Sequence, residues 1–213
     1  MTHDEQVPSR PQESGDHQPR RRQLATGDLA RISVFAALIA VLGLPGGITV
    51  LGNTVPITLQ TFGVMLAGAV LGARRGALAV AVFLVLVAAG LPLLAGGRGG
   101  LGVFAGPSAG FLLGWLPGAA LTGWIAGGGD RTPGIVRLLL ACLAGGVGVI
   151  YLVGVPVQAA VTGLPLGRAA LLSSVFLPGD LVKAVLASVV ARGVYRAYPA
   201  AGGGSRVPSK GRL

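Results

Sequence analysis

The sequence predicts an all-α integral membrane protein with six transmembrane helices, and two observations carry this prediction. Of the 213 residues, 52% are hydrophobic and only 11% are charged, whereas a soluble domain is about 25% charged. So few charges cannot cover a surface that faces water, so most of the surface must face lipid. In addition, the chain carries six apolar segments between residues 29 and 196 without a long polar break, which indicates a single domain.

The six apolar segments approach the ~20 residues that a transmembrane helix needs. The fifth is long enough to form a helix that is tilted or broken near Pro156. The sixth is the least hydrophobic because it contains Asp180 and Lys183. In chain order we predict helices over Leu29–Leu44, Ile57–Ala73, Gly76–Leu94, Ser108–Gly127, Pro133–Thr162 and Pro178–Arg196.

The two ends of the chain are polar, which leaves residues 29–198 as the transmembrane domain. We expect residues 1–28 to be a disordered basic tail and not a signal peptide, since five more apolar segments follow the first. We expect residues 199–213, rich in Gly, Ser and basic residues, to be a flexible tail. The net charge of +10 does not indicate nucleic-acid binding, because the basic residues do not interleave with aromatic residues.

The positions of Lys and Arg predict the orientation of the helices. Fourteen basic residues fall on one side of the predicted domain, and only Arg98 and Arg168 fall on the other. Both termini should therefore face the cytoplasm. The three external connections are long, apolar and nearly uncharged, which favours a lid over an external cavity. They are Pro45–Pro56, Leu91–Pro107 and Gly163–Leu177.

Small residues spaced four apart predict close packing of helices in lipid. Two glycine series have this spacing, and Ala36 and Ala40 repeat it on the first helix. The chain has no Gly-Lys-Ser/Thr motif, so it has no Walker loop, and any ATP-driven transport must draw on a partner. The glycine series are Gly68, Gly72 and Gly76, and Gly106, Gly110, Gly114 and Gly118.

Asp180 and Lys183 are the acid and base that lie within the predicted spans away from the cytoplasmic ends. They are three residues apart, so they share one helix face. Each costs ~2.5–3.5 kcal/mol at a helix centre, and such residues usually serve function. The pair offers acceptors and donors to a polar ligand head group. Other polar side chains near the external half are Thr58, Gln60 and Tyr151.

Residues for catalysis or metal binding are missing from the apolar segments. His3 and His17 lie in the polar tail, and Cys142 stands alone in an apolar run. No nucleophile–base set and no pair of carboxylates suited to acid–base chemistry is present. The sequence therefore indicates a binding protein that is not an enzyme, without a metal or a cofactor.

Three motifs resemble the BioY family, the biotin-specific S component of energy-coupling-factor (ECF) transporters. The first is Val55-Pro-Ile-Thr-Leu-Gln-Thr-Phe-Gly-Val-Met-Leu-Ala-Gly68. The second runs from Gly90-Leu-Pro92 through the glycine loop to Gly106-Pro-Ser-Ala-Gly-Phe111, and the third is Phe176-Leu-Pro-Gly-Asp180-Leu-Val-Lys183. Phe111 and Phe83 stand where the family commonly has tyrosine, which removes two hydroxyl groups.

The resemblance implies the six-helix S-component fold in the cell membrane, with biotin near the external face and the loop after the first helix as a lid. It also implies a transmembrane T component and two ABC ATPase subunits as partners. We expect Asp180 to accept from the ureido N–H groups, Lys183 to donate to the ureido oxygen or carboxylate, and Arg98 to be a reserve partner for the carboxylate. The other implied contacts are Gln60, Thr58, Tyr151, Phe104 and Phe111, and Ala36 and Ala40 are expected to dock the T component.

Three alternatives stay open. The first is an S component for another vitamin, such as thiamine or riboflavin, although aromatic side chains for stacking at the external end are scarce. Trp115 and Trp124 lie on the fourth segment, the latter towards the cytoplasm. The second is an intramembrane enzyme, which the missing nucleophile–base set disfavours. The third is a scaffold protein, in which an Asp–Lys pair inside the membrane would have no role.

Overall fold

A computed structural model describes residues 26–48, 55–127 and 132–198. These residues form helices joined by connections. Within them, extended backbone pairs only at two isolated antiparallel bridges, Ile48–Ile57 and Leu94–Arg98. Residues 1–25 and 199–213, which belong to the tails predicted to be disordered or flexible, lie outside the described residues. The helices are α1 (Thr26–Val41), α2 (Gln60–Leu71), α3 (Ala73–Ala88), α4 (Ala109–Gly127), α5 (Ile135–Leu143), α6 (Ile150–Thr162), α7 (Leu166–Ser173) and α8 (Leu177–Ala197).

Within the part of the chain that the structure describes, three helical runs are long and apolar enough to cross a membrane: Ala109–Gly127, Ile135–Thr162 and Leu166–Ala197. The helix Gln60–Leu71 is apolar but shorter, and α1 and α3 have 16 residues each. Long apolar helices agree with the prediction of an α-helical membrane protein. By length and composition, these three runs correspond to the fourth, fifth and sixth predicted spans.

Helix α1 begins at Thr26, before the predicted start at Leu29, so residues 26–28 belong to the helix. Thr26 starts the helix and Asp28 lies in its first turn, where the helix dipole favours a negative charge. The Asp28 carboxylate also accepts from Arg75 Nε at 3.0 Å. This ion pair ties the start of α1 to the start of α3.

The second and third helices are shorter than the apolar segments that predicted them. Gly72 has φ +81°, a conformation that favours glycine, and it separates α2 from α3 without a loop. Helix α3 ends at Ala88, and Gly90 with φ +103° and Pro92 follow. Pro92 has no N–H with which to continue a helix. Residues 89–94 therefore belong to the connection and not to the span.

Of the two alternatives predicted for the fifth segment, a tilt or a break near Pro156, the break is not present at Pro156, because the irregular turn lies earlier in the segment. Pro156 is inside the regular helix α6. A π-helical turn, Ala144–Val149, joins α5 to α6 in one 28-residue run. Its sequence Ala-Gly-Gly-Val-Gly-Val lets it pack closely, since a Cβ on Gly145 would meet the Thr122 side chain and one on Gly146 would meet Met65.

The last of the connections that were predicted to be external is helical where a loop was expected. Helix α7 begins after Pro165, and a short 3₁₀ turn (Ser174–Phe176) leads it into α8. Ser173 Oγ donates to Gln158 Oε1 at 2.8 Å, which fixes α7 against α6.

Helix α4 lies at the centre of the bundle, in contact with α2, α3, α5 and α6. Its glycines permit this, as the spacing predicted: a Cβ on Gly118 would lie 2.8 Å from the Gly145 carbonyl oxygen. Gly68, Gly76, Gly110 and Gly114 face similarly close neighbours. Gly72 and Gly106 do not, because Gly72 joins two helices and Gly106 precedes α4.

Candidate ligand-binding site

A cavity opens at the end of the bundle where α2 and α8 begin. The space within its outline, which includes open solvent at the mouth, is about 570 Å³. Most of the wall is apolar, and the polar side chains converge on one part of it. The lining residues are Val55, Pro56, Ile57, Thr58, Gln60, Thr61, Leu94, Arg98, Ser108, Phe111, Leu112, Trp115, Ile150, Tyr151, Phe176, Asp180 and Lys183.

Four side chains form a hydrogen-bonded cluster in this wall, which we call the Asp180 cluster: Thr61, Tyr151, Asp180 and Lys183. Lys183 Nζ lies 2.9 Å from Asp180 Oδ1 and donates to Thr61 Oγ1 at 3.0 Å. Tyr151 Oη donates to Asp180 Oδ2 at 2.7 Å. Thr61 Oγ1 lies 3.3 Å from Asp180 Oδ1. Asp180 is 4% exposed and Lys183 is 6% exposed, so the ion pair is buried.

The local sequence explains why the acid and base meet here. Pro178 and Gly179 open α8, so Asp180 falls in its first turn, where the helix dipole favours a negative charge. Lys183 follows on the same face one turn later. The predicted i, i+3 pair is therefore present, and it lies in a cavity.

Tyr151 reaches Asp180 from α6, 29 residues earlier in the chain. It comes directly after Ile150, the first residue of the regular helix beyond the π-helical turn. A π-helical turn adds a residue and so rotates the helix that follows it. The glycine-rich turn therefore sets the face on which Tyr151 projects.

Aromatic rings form the apolar wall beside the Asp180 cluster. The Phe111 ring contacts Tyr151 and Phe176 edge to face, with both centroid distances at 6.0 Å. The Trp115 ring packs on Phe83 with the centroids 5.9 Å apart. Phe83 is fully buried behind Trp115. The tyrosine hydroxyls that the family resemblance would supply at Phe83 and Phe111 are absent, and only the hydrophobic surface remains.

Gln60 and Thr58 line the cavity, but their hydrogen bonds hold the backbone in place. Gln60 Nε2 donates to the carbonyl oxygens of Ile39 and Leu93, at 3.2 and 3.0 Å. Gln60 thus ties α2 to the end of α1 and to the connection after α3. Thr58 Oγ1 accepts from the backbone N–H of Gln60 at 3.3 Å. Both were predicted as ligand contacts, and their bonds here indicate that they also shape the cavity.

Arg98 lines the cavity from the glycine-rich connection, and its side chain is exposed. Its Nε donates to the Ala95 carbonyl oxygen at 3.3 Å. By contrast, Phe104, which was predicted as a contact, does not line the cavity. It ends the 3₁₀ turn Leu101–Phe104 and packs, partly buried, against the main hydrophobic core.

The alanines predicted to dock a partner do not form an open face. Ala36 is 4% exposed and belongs to the main hydrophobic core, and Ala40 packs partly buried against the same core. The residues of α1 that point outward include Val34 and Val41. Both alanines therefore pack within the isolated chain, and their role in docking the T component stays a prediction.

The end of the connection between α1 and α2 lines part of the cavity, and its role as a lid stays a prediction. The Ile48–Ile57 bridge closes this connection, with N–O distances of 3.0 and 2.9 Å. The residues of this connection that line the cavity are Val55, Pro56, Ile57 and Thr58. Ile48 takes part in an isolated bridge and not in a strand, and the rest of the segment predicted to have strand character, Thr49–Leu51, lies outside the described residues.

Sequence reasoning did not select several of the cavity-lining residues, among them Thr61 and Trp115. Thr61 bridges the acid and the base, and its position directly after Gln60 in the first motif was the available signal. Trp115 was considered only as a stacking residue, although it lines the cavity. Its role depends on which face of α4 meets the cavity, and an almost wholly apolar helix gives no periodicity from which to infer that face.

Comparisons with known proteins agree on one family. A family model described as the BioY family matches residues 16–200. "Biotin transporter BioY" of Rhizobium etli is 47% identical over 181 residues, which cover 83% of this chain and 97% of that protein. "Biotin transporter BioY" of Rhodobacter capsulatus is 47% identical over 182 residues, covering 80% and 94% respectively.

A solved structure has a similar fold. It is described as the crystal structure of the S-component for biotin from an ECF-type ABC transporter. The TM-score is 0.75 and the sequence identity is 33%, with 80% of this chain and 91% of the other covered.

Proposed function

Because the chain belongs to the BioY family, we propose that it is the biotin-binding S component of an ECF-type importer. The observation that carries this proposal is the Asp180 cluster, a buried acid and base in an otherwise largely apolar cavity. Relatives named as biotin transporters and a solved biotin S component support the choice of ligand. The family is one of transport proteins, so the chain is not an enzyme.

The chemistry of biotin matches the distribution of polar groups in the cavity. Its ureido ring offers two N–H donors and one acceptor oxygen, and its bicyclic body and aliphatic chain are apolar. An ionised carboxylate has about four acceptor positions, and Asp180 uses three of them for Thr61, Tyr151 and Lys183. A ureido N–H can take the remaining position or displace the 3.3 Å contact with Thr61. Lys183 then donates to the ureido oxygen.

We assign the ligand carboxylate to Arg98. The side chain of Arg98 is exposed at the cavity wall and contributes one N–H to a backbone carbonyl. An arginine can bind a carboxylate with two parallel hydrogen bonds. With the ureido ring at the Asp180 cluster, the aliphatic chain of biotin would lead its carboxylate towards the mouth.

Transport needs partners, and we propose a T component and two ABC ATPase subunits in the cell membrane. The protein would cross that membrane six times with both termini in the cytoplasm, in accordance with the distribution of basic residues. A cysteine near Gly97 should react with an impermeant thiol reagent from outside, whereas one near Gly129 should not. Gly129 itself lies outside the described residues. The reverse labelling pattern would contradict this topology.

Radiolabelled-biotin binding to the purified protein in detergent tests the proposed function. Biotin should bind at one site per chain, and excess thiamine or riboflavin should not displace it. Displacement by either vitamin, or an absence of biotin binding by folded protein, would overturn the assignment in favour of another ligand.

A further inference from the structure

The indole N–H of Trp115 is a donor without an acceptor. In the part of the chain that the structure describes, Trp115 Nε1 is the buried side-chain nitrogen or oxygen atom that lacks a hydrogen-bond partner. The residue is 4% exposed and lines the cavity. A buried donor that stays unpaired is penalised, and a phenylalanine would fill the same apolar position without this penalty.

The Trp115 ring belongs to the main hydrophobic core together with Leu112 and Ile150, and it packs on Phe83 with the centroids 5.9 Å apart. The Asp180 carboxylate accepts from Thr61, Tyr151 and Lys183 and not from the Trp115 indole. A ligand bound in the cavity can supply the acceptor that Trp115 Nε1 lacks.

We propose that Trp115 Nε1–H donates to the ring sulfur of bound biotin and makes Trp115 a specificity-determining residue. This inference rests on the proposed function. Biotin has three kinds of acceptor: the ureido oxygen, the carboxylate and the thioether sulfur. The first two face Lys183 and Arg98 in the proposed pose, which leaves the sulfur for the remaining donor.

The shape of biotin supports the same pairing. The sulfur lies in the ring fused to the ureido ring, on the side away from the ureido oxygen. In the proposed pose the ureido group lies at the Asp180 cluster, and the sulfur would lie on the side away from the cluster, where we place the contact with Trp115. Sulfur is a weak acceptor, but thioether sulfur also makes favourable contacts with aromatic rings.

The substitution Trp115→Phe removes the N–H and keeps an aromatic ring against Phe83. We expect it to weaken biotin binding by roughly threefold to tenfold, the size of one net hydrogen bond. Binding of desthiobiotin, which lacks the sulfur but keeps the ureido ring and the carboxylate, should change less than twofold. The preference for biotin over desthiobiotin should therefore fall, as measured by competition against radiolabelled biotin.

Trp124→Phe is the matched control, because Trp124 lies on the same helix but is 70% exposed and does not line the cavity. It should leave both affinities unchanged. An equal loss for biotin and desthiobiotin in Trp115→Phe, or no loss for either, would overturn the proposal and leave Trp115 as a packing residue. If wild-type protein does not bind biotin, the proposed function fails first and this inference fails with it.

A second readout does not depend on the folding of Trp115→Phe. The chain has two tryptophans, so Trp115 is the sole indole in the Trp124→Phe variant. With ¹⁵N-labelled tryptophan, biotin should shift the Nε1–H resonance downfield, as expected when a donor gains an acceptor, and desthiobiotin should not. Equal shifts with both ligands would contradict a bond to sulfur.

Discussion

The substitution Asp180→Asn should weaken biotin binding at least tenfold while the protein still folds. Asparagine has almost the same size as aspartate, so the cavity wall is kept and the negative charge is lost. The side chain keeps one acceptor oxygen and gains an NH₂ donor. That donor must face Tyr151, Thr61 or Lys183, whose hydrogen atoms now point at the Asp180 carboxylate oxygens.

The magnitude follows from the burial of the pair. Lys183 makes its ion pair with Asp180 at 2.9 Å, and their side chains are 8% and 6% exposed. Removing one partner of a buried, hydrogen-bonded charge pair costs about 2–5 kcal/mol. Part of this cost destabilises the unliganded protein. If only 1.4 kcal/mol of this cost is lost from the free energy of biotin binding, the dissociation constant for biotin rises tenfold.

The assay is equilibrium binding of radiolabelled biotin, with thermal unfolding to confirm that the variant folds. Asp28→Asn is the matched control, since Asp28 also pairs with a base, Arg75 at 3.0 Å, but does not line the cavity. It should leave the affinity for biotin unchanged. Affinity of folded Asp180→Asn within twofold of wild type would refute the assignment of Asp180 to the ureido group.

Three further substitutions test separate parts of the structure. Tyr151→Phe removes the 2.7 Å hydrogen bond to Asp180 and should weaken biotin binding by about 0.5–1.5 kcal/mol. An unchanged dissociation constant would show that the hydroxyl does not contribute to biotin binding. Gln60→Leu leaves two backbone carbonyl groups without their donor and should lower the free energy of unfolding by about 1–3 kcal/mol, as measured by chemical denaturation. A variant as stable as wild type would contradict the structural role of Gln60. Ala36→Trp should destabilise the core and impair biotin binding by the isolated protein, whereas Val34→Trp, at a position that is 64% exposed, should not. Intact binding with lost ATP-dependent uptake in Ala36→Trp would contradict this expectation and support the predicted docking role.

The Asp180 cluster was only partly predictable from the sequence. Asp180 and Lys183 are near in sequence and share a helix face, so their pairing follows from helix geometry alone. Thr61 lies 119 residues from Asp180, and Tyr151 projects from a helix whose rotation depends on a π-helical turn. Contacts of that kind depend on tertiary packing and on local irregularities that hydrophobic patterns do not encode.

The limits of the fold prediction have a similar origin. Apolar segments located the helices, but their ends depend on backbone conformation at single residues such as Gly72 and Gly90. Helix α7 has only eight residues, too few for a periodic pattern to separate it from an apolar loop. The spacing of Ala36 and Ala40 predicts a close contact, but spacing alone does not say whether the contact lies inside the bundle or with another protein.

A crystal structure of the protein with bound biotin tests the central claim most directly. We expect the ureido ring beside Asp180, with a nitrogen-to-Oδ distance near 2.9 Å, as is usual for such a hydrogen bond, and Lys183 Nζ within hydrogen-bonding distance of the ureido oxygen. Biotin bound outside this cavity, or in it with the ureido ring remote from Asp180 and Lys183, would contradict the account.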